Sequence, residues 1–99
     1  MAYNSDELNT LQGASRQGLI GKKLRGKTIV FTGKISITRR EIDQLAWAYN
    51  FRVGSAVTPH THYIVVGEIP GGATTSKLSA AISYGVRRLT EQEFSEMLR

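Results

Sequence analysis

With 99 residues, 40% of them hydrophobic, the chain is long enough for one small domain with a single core and too short for two. Its 13 Lys and Arg residues outnumber 8 Asp and Glu residues, and the net charge of +5 favours an anionic partner such as nucleic acid, a phosphoprotein or an acidic membrane surface. The lack of cysteine excludes disulfides and thiolate metal sites and is typical of an intracellular protein.

The first part of the chain, residues 1–23, differs in composition from the rest. It is rich in Gly, Ser, Asn and Gln and ends in the basic pair Lys22-Lys23. This composition predicts a flexible tail, followed by one domain over residues 24–99. No apolar run approaches the roughly 18 residues of a membrane span, and the polar N-terminus does not resemble a secretory signal. We therefore expect an intracellular location and no membrane partner.

The regular part of the chain begins with a strand and a helix. A β-branched and aromatic run bounded by glycines predicts the first strand at Lys27–Thr32. Thr38 and Glu41 have the spacing of a capping box, which begins a helix. Asn50 tolerates the left-handed conformation of a C-terminal cap and is expected to end that helix. A short strand follows around residues 52–54.

The second half repeats this alternation. Tyr63–Val66 is almost wholly apolar, which is typical of a central strand in a parallel sheet. A loop then leads to a helix at Ser76–Tyr84, which Gly85 is expected to end. Val86–Leu89 predicts a last strand, and a second capping box at Thr90–Glu93 begins the final helix. The order strand, helix, strand, strand, helix, strand, helix predicts an α/β fold with a small parallel sheet between helices.

Two short segments carry side chains that suit a phosphate. Thr32-Gly33 closes the first strand, and Thr75-Ser76-Lys77 opens the second helix. Hydroxyl and glycine amide groups donate to phosphate oxygens, a helix N-terminus adds free N–H groups, and Lys77 adds positive charge. Without a ligand, the same residues would form a tight turn at Thr32-Gly33 and a solvated lysine side chain at Lys77. The pair Arg87-Arg88 is interpreted as an exposed strand edge rather than a site.

Motifs spread over about three quarters of the chain resemble the BRCT domain family. The segments that carry the resemblance are Leu24–Gly33, Arg40-Glu41, Val53–Val57, Thr61, Val65–Glu68, Ser76–Leu78, Tyr84–Val86 and Glu93-Phe94. The pattern is most similar to the single-copy subtype of bacterial NAD-dependent DNA ligases and of the large subunit of the clamp loader replication factor C. Phe94 stands where tandem phosphopeptide-reading members carry tryptophan, which favours the single-copy group.

The resemblance implies a four-stranded parallel sheet flanked by three helices (βαββαβα) and a non-catalytic role in DNA replication or repair, without a cofactor. Such a role fits a bacterial cytoplasm or nucleoid better than a eukaryotic nucleus. The family's phosphate pocket falls on Thr32, Gly33 and Lys77, and in the DNA-binding subtype an arginine that opens the first helix joins them, here Arg40. Further contacts to the DNA backbone are expected from Lys22, Lys23, Lys34, Arg39, Thr75 and Ser76.

Two functions remain open from the sequence. The domain binds DNA, with a preference for a 5′-phosphorylated end, or it reads a phosphoprotein or docks onto other replication or repair proteins. Ala80, where many relatives carry a second lysine, keeps the protein partner open. A receiver-type enzyme would need clustered acidic residues at strand ends, and only Glu68 lies near one. His60 and His62 lack a third metal ligand, so we expect no metal. We expect no catalytic activity of the domain's own, whether it is free-standing or a fragment of an enzyme such as DNA ligase.

Overall fold

A computed structural model describes residues 22–98. After a 3-10 turn over Lys22–Leu24, the chain forms four strands and three helices. They are β1 (Thr28–Thr32), α1 (Arg39–Tyr49), β2 (Arg52–Val53), β3 (Tyr63–Val66), α2 (Ser76–Tyr84), β4 (Arg87–Thr90) and α3 (Glu91–Met97), with a second 3-10 turn at Pro70–Gly72 before α2. The tail predicted at residues 1–23 lies outside the described residues except for its last two positions.

The four strands form one parallel sheet in the order β2-β1-β3-β4. The apolar strand β3 is central, as its composition predicted, because it pairs with β1 on one side and with β4 on the other. The α/β fold class with four parallel strands and three helices is therefore confirmed. Every predicted element is present, and the bounds of β1, β2 and β4 differ from the prediction by one residue.

The helix ends follow the local chemistry that predicted them. At the start of α1 the Thr38 hydroxyl accepts from the amide of Glu41, and the Glu41 carboxylate accepts from the amide of Thr38. Thr90 and Glu93 form the same reciprocal box before α3. Asn50 (φ 57°) caps α1 in the left-handed conformation that such a cap requires.

Two hydrophobic clusters cover opposite faces of the sheet. The larger cluster includes the buried side chains of Leu45 and Tyr49 from α1 and of Phe94 from α3, so these two helices share one face. The Phe94 ring meets Phe31 of β1 edge to face, with ring centroids 5.3 Å apart. The smaller cluster receives Ala81 from α2, which covers the other face alone. Full burial of each large apolar side chain contributes roughly 1.5–3 kcal/mol, so the larger cluster supplies most of the stability.

Between residues 22 and 98, no helix combines the length and the apolar character needed to cross a membrane.

Candidate phosphate-binding site

Because the four strands are parallel, their carboxyl ends meet at one side of the sheet, which we call the carboxyl edge. The order β2-β1-β3-β4 makes β1 and β3 neighbours. From β1 the chain continues to α1 on one face of the sheet, and from β3 it continues to α2 on the other face. Ligands of open α/β sheets bind at such a point, outside the carboxyl ends of the strands. The two segments with phosphate-suited side chains, Thr32-Gly33 and Thr75-Ser76-Lys77, both lie there.

The hydroxyls of Thr32 and Thr75 are in direct contact. Their Oγ1 atoms lie 2.8 Å apart, although the residues are 43 positions apart in the chain. The Thr32 side chain is buried, and the Thr75 hydroxyl also caps α2 by accepting from the amide of Leu78 at 3.1 Å. The end of β1 is thus joined to the start of α2.

The direction of this hydrogen bond decides what the pair can offer to a ligand. Each hydroxyl has a single hydrogen. If Thr75 donates to Thr32, the Thr32 hydrogen is free to point outward, and the chain from the Leu78 amide through Thr75 to Thr32 is polarised toward an acceptor. Hydrogen bonds in such a chain strengthen one another. The arrangement therefore suits an anion placed outside Thr32.

Lys77 reaches the same strand end. Its Nζ atom donates to the carbonyl oxygen of Phe31 at 3.4 Å, and the side chain is half-buried. Phe31 directly precedes Thr32, so the ammonium group lies at the same end of β1 as the two hydroxyls. A carbonyl oxygen at 3.4 Å is a weak partner for an ammonium group, which leaves most of the donor capacity of Lys77 available.

Gly33 follows Thr32 in a conformation that favours glycine. Its φ is +78°, and a Cβ at this position would lie 3.1 Å from both the carbonyl oxygen of Glu68 and Cγ1 of Ile69. A side chain would be strained and crowded here. The glycine is required by the fold, whether or not its amide binds a ligand.

A short backbone bridge holds the two loops of the carboxyl edge together, and sequence reasoning missed it. The amide of Lys34 donates to Glu68 O at 2.7 Å, and the amide of Glu68 donates to Lys34 O at 3.0 Å. Gly67 permits this approach, because a Cβ there would overlap the Lys34 carbonyl oxygen and lie 2.7 Å from its carbon. We call this pairing the Lys34–Glu68 bridge. A cavity of about 530 Å³ lies beside it.

Glu91 ties a third element to this edge. Its two carboxylate oxygens accept from the amide and the hydroxyl of Ser36, each at 2.5 Å. Partial burial raises the pKa of the Glu91 carboxyl, but hydrogen bonds, including the two from Ser36, outweigh burial and hold its pKa below the usual 4.5. The loop after β1 is thereby fastened to the first turn of α3.

The other predicted site residues are more scattered. Arg40 is exposed on α1 and lines a groove of about 290 Å³ with Trp47. Within residues 22–98, no hydrogen bond or ion pair joins Arg40 to the two threonines or to Lys77. Arg39 forms an exposed ion pair with Asp43, Nε to Oδ1, at 3.4 Å. Ser76 is exposed as the first residue of α2.

Two of the predicted DNA contacts lie elsewhere. Lys22 and Lys23 belong to the 3-10 turn that precedes β1, and therefore lie toward the amino ends of the strands. Only Lys23 has a described side chain, and it is exposed. These two lysines are consequently on the side of the sheet opposite the carboxyl edge.

The ring of His62 has a structural partner in the sheet. Nδ1 of His62 accepts from the amide of Thr28 at 3.0 Å, so this ring supports the start of β1. No group of three or more potential metal-ligating side chains occurs among residues 22–98.

Comparison with known proteins relates the chain to a family and to named enzymes. The family model for the BRCA1 C Terminus (BRCT) domain matches residues 20–98. A DNA ligase of Carboxydothermus hydrogenoformans is 44% identical over 77 residues, which are 77% of this chain and 11% of the ligase. A DNA ligase of Persephonella marina is 36% identical over 107 aligned residues, 98% of this chain and 14% of the ligase.

A third relative is likewise matched over most of this chain and a small part of its own length. The DNA ligase of Aquifex aeolicus is 40% identical over 77 residues, which are 77% of this chain and 10% of the ligase. The chain thus spans between 10% and 14% of the length of these relatives. It corresponds to one domain of such an enzyme and is not a catalytic ligase by itself.

Proposed function

The chain belongs to the BRCT domain family, as its motifs predicted, and we propose that it is a non-catalytic module that binds DNA by holding a 5′-terminal phosphate at the carboxyl edge. The proposed ligands are Thr32, Gly33 and Lys77, joined by Arg40 from α1. The domain would act in DNA replication or repair inside a bacterial cell.

The convergence of two distant chain segments is the observation that supports this proposal. The Thr32–Thr75 hydroxyl contact of 2.8 Å and the approach of Lys77 Nζ to Phe31 O support a hydroxyl pair and a cation at the same end of β1. A helix N-terminus presents amides that lack partners within the helix and a dipole that favours an anion, and α2 begins at this end of the sheet. Two hydroxyls and one ammonium group suit a single phosphate group.

Each proposed ligand has a separate role. Thr32 donates a hydrogen bond through the chain that starts at the Leu78 amide, and Lys77 neutralises charge. Gly33 lets the phosphate approach the backbone closely. Arg40, exposed on α1, is free to reach toward the ligand and to contact it in a bidentate manner.

DNA is favoured over a phosphopeptide by two observations. The relatives are named DNA ligases, so they act on DNA. The net charge of +5 suits a polyanion better than a single phosphate on a peptide. The additional contacts to the DNA backbone proposed for Lys34, Arg39, Thr75 and Ser76 surround the site.

The test compares two duplexes that differ only in a recessed 5′-phosphate or 5′-hydroxyl, at low and moderate salt. The 99-residue chain is expected to bind the phosphorylated duplex about tenfold more tightly, since a hydrogen bond to a charged group contributes roughly 1.5–3 kcal/mol. The variant Lys77→Glu with Arg40→Glu should remove this preference while the domain stays folded.

A matched pair of milder variants controls for the loss of charge. Lys77→Met removes one cation from the site, and Arg88→Met removes one from β4, two strands or roughly 10 Å away from β1. Only the first should reduce the 5′-phosphate preference. Equal affinity of the unmodified chain for both duplexes would reject end recognition, and stronger binding of a phosphopeptide library would support the protein-binding alternative.

A further inference from the structure

The amino ends of the four parallel strands meet at the side of the sheet opposite the proposed phosphate site. We call this side the amino edge, and five cations with described side chains lie there: Lys23, Arg25, Lys27, Arg52 and Arg87. They are widely separated in the chain, and the sheet brings them together. Arg52 and Arg87 are the first residues of β2 and β4, and Lys27 directly precedes β1.

Hydrogen bonds and strand register place three of these residues at nearly the same level of the sheet. The Arg52 amide donates to Lys27 O at 2.8 Å. In the sheet, Ile29 is paired with Tyr63, and Tyr63 is paired with Arg87. Lys27, Arg52 and Arg87 therefore lie at the amino ends of β1, β2 and β4, with Arg52 and Arg87 on opposite faces of the sheet.

The cations of the amino edge have no acidic partners in the described part of the chain. Four of the five side chains are exposed, and that of Lys27 is half-buried. None of the five forms an ion pair with another residue among positions 22–98. One carboxylate, that of Glu96 near the end of α3, lies toward this side, and it accepts from Gln92 Nε2 at 3.4 Å.

The carboxyl edge is different in charge. Its four cations, Lys34, Arg39, Arg40 and Lys77, are mixed with the carboxylates of Glu41, Asp43, Glu68, Glu91 and Glu93. The positive charge of the described domain is therefore concentrated on the amino edge, away from the proposed phosphate site.

We propose that the amino edge is a second contact surface, which binds the phosphate backbone of DNA in a sequence-independent manner. A group of Lys and Arg side chains that have no acidic partner among residues 22–98 is the arrangement that replaces the counterions of a DNA strand. The inference rests on the proposed function only in taking DNA as the ligand, because the residues are different.

The dimensions allow one DNA strand to contact both edges. Strand β1 has five residues, so roughly 13 Å separate its two ends. A DNA strand carries one phosphate per roughly 3.4 Å of helix axis, so about four nucleotides span this distance. Because helices cover both faces of the sheet, a strand whose 5′-phosphate is held at the carboxyl edge reaches the amino edge around a helix, so more than four nucleotides are needed.

The experiment uses the 99-residue chain with Arg52→Gln and Arg87→Gln together. Both duplexes, with 5′-phosphate and with 5′-hydroxyl, should bind less tightly by the same factor. The slope of log affinity against log salt should fall by about 1.8, because each lost phosphate contact removes roughly 0.9. Thermal unfolding should be unchanged, since both side chains are exposed.

The matched control introduces the same change in net charge at other exposed positions, Ser79→Glu on α2 and Gln92→Glu on α3. It should leave the salt slope unaltered. If the control and the amino-edge variant weaken binding equally, only the total charge matters and the inference is overturned. The inference is also overturned if the amino-edge variant binds both duplexes as tightly as the unmodified chain.

Two further arms separate this inference from the proposed function. A 5′-phosphorylated dinucleotide is too short to reach the amino edge, so Arg52→Gln with Arg87→Gln should not affect its binding, whereas Lys77→Met should. If Lys77→Met has no effect but the salt slope still falls in the amino-edge variant, the proposed function fails and the inference stands. Weakened binding of polyglutamate with unchanged binding of DNA would assign the surface to acidic proteins and overturn the inference.

Discussion

The two edges of the sheet differ in the groups that they present to an anion. At the carboxyl edge, Thr32, Thr75 and Lys77 converge through contacts of 2.8 and 3.4 Å, and the Lys34–Glu68 bridge holds the loops that carry them. At the amino edge, five cations lie near the strand ends without such contacts among residues 22–98. Binding at the carboxyl edge depends on the positions of the donor groups, and binding at the amino edge depends on the number of positive charges.

This difference separates recognition of a terminal phosphate from general affinity for the DNA backbone. A hydrogen-bonded site distinguishes one terminal phosphate from another group, because its donors have fixed directions. A group of exposed cations binds any backbone phosphate and loses affinity as salt rises. At about 0.1 M salt the Debye length is roughly 10 Å, shorter than the roughly 13 Å between the edges, so each can be changed with little effect on the other.

The largest effect is expected from Gly67→Ala, which attacks the geometry of the carboxyl edge. Its Cβ would collide with the Lys34 backbone, and overpacking of this kind costs about 1–3 kcal/mol. We expect the free energy of unfolding in urea to fall by about 2 kcal/mol. The 5′-phosphate preference should also be lost, because the bridge opens, while the salt slope set by the amino edge remains.

Gly71→Ala is the matched control in the same loop. Gly71 has φ +68°, but nothing lies within 4 Å of a Cβ there. This change carries only the conformational strain of roughly 1 kcal/mol and should keep the 5′-phosphate preference. If the two alanine variants lose the same stability and the same preference, the bridge does not position the site.

A smaller effect is expected from Thr75→Ala, which removes the hydroxyl between Leu78 and Thr32. Loss of this helix cap should cost about 1 kcal/mol of unfolding free energy. The 5′-phosphate preference should fall as well, because Thr32 is no longer oriented by a donor. Thr75→Ser should restore both the stability and the preference. A preference that survives in the alanine variant would show that the hydroxyl chain plays no part in binding.

The smallest effect concerns pH and the carboxylate of Glu91. Since its pKa lies below the usual 4.5, ionisation of Glu91 stabilises the folded chain above pH 4.5, and this contribution is lost as the pH falls through the lowered pKa. The difference in unfolding free energy between the unmodified chain and Glu91→Gln should therefore be present at pH 7 and shrink toward pH 3. A difference that does not change with pH would contradict this assignment.

Much of the fold could be predicted because its signals are local. The capping boxes at Thr38 and Thr90 begin two helices where expected, and the left-handed caps at Asn50 and Gly85 end two helices where expected. Each depends on residues within one helical turn. The approach of Lys77 to the end of β1 was also expected, from the family motif rather than from spacing.

Other features of the candidate site were not legible in the sequence. Thr75 was predicted as part of a segment that suits a phosphate and as a contact to the DNA backbone, but the contact of its hydroxyl with Thr32 was not predicted. The role of Gly67 depends on the position of Lys34, more than thirty residues earlier, and no local pattern indicates it. Arg40 was grouped with Thr32 and Lys77, but no described contact joins it to them.

By itself the sequence determined the elements, their order and the two faces of the sheet, because capping, turn chemistry and apolar periodicity act over a few residues. The tertiary structure alone decided which distant side chains meet. Parallel pairing with a definite register brought Thr32 to Thr75 and placed Arg52 and Arg87 on the same edge. The physical reason is that strand order and register arise from packing of the whole core, which no short segment encodes.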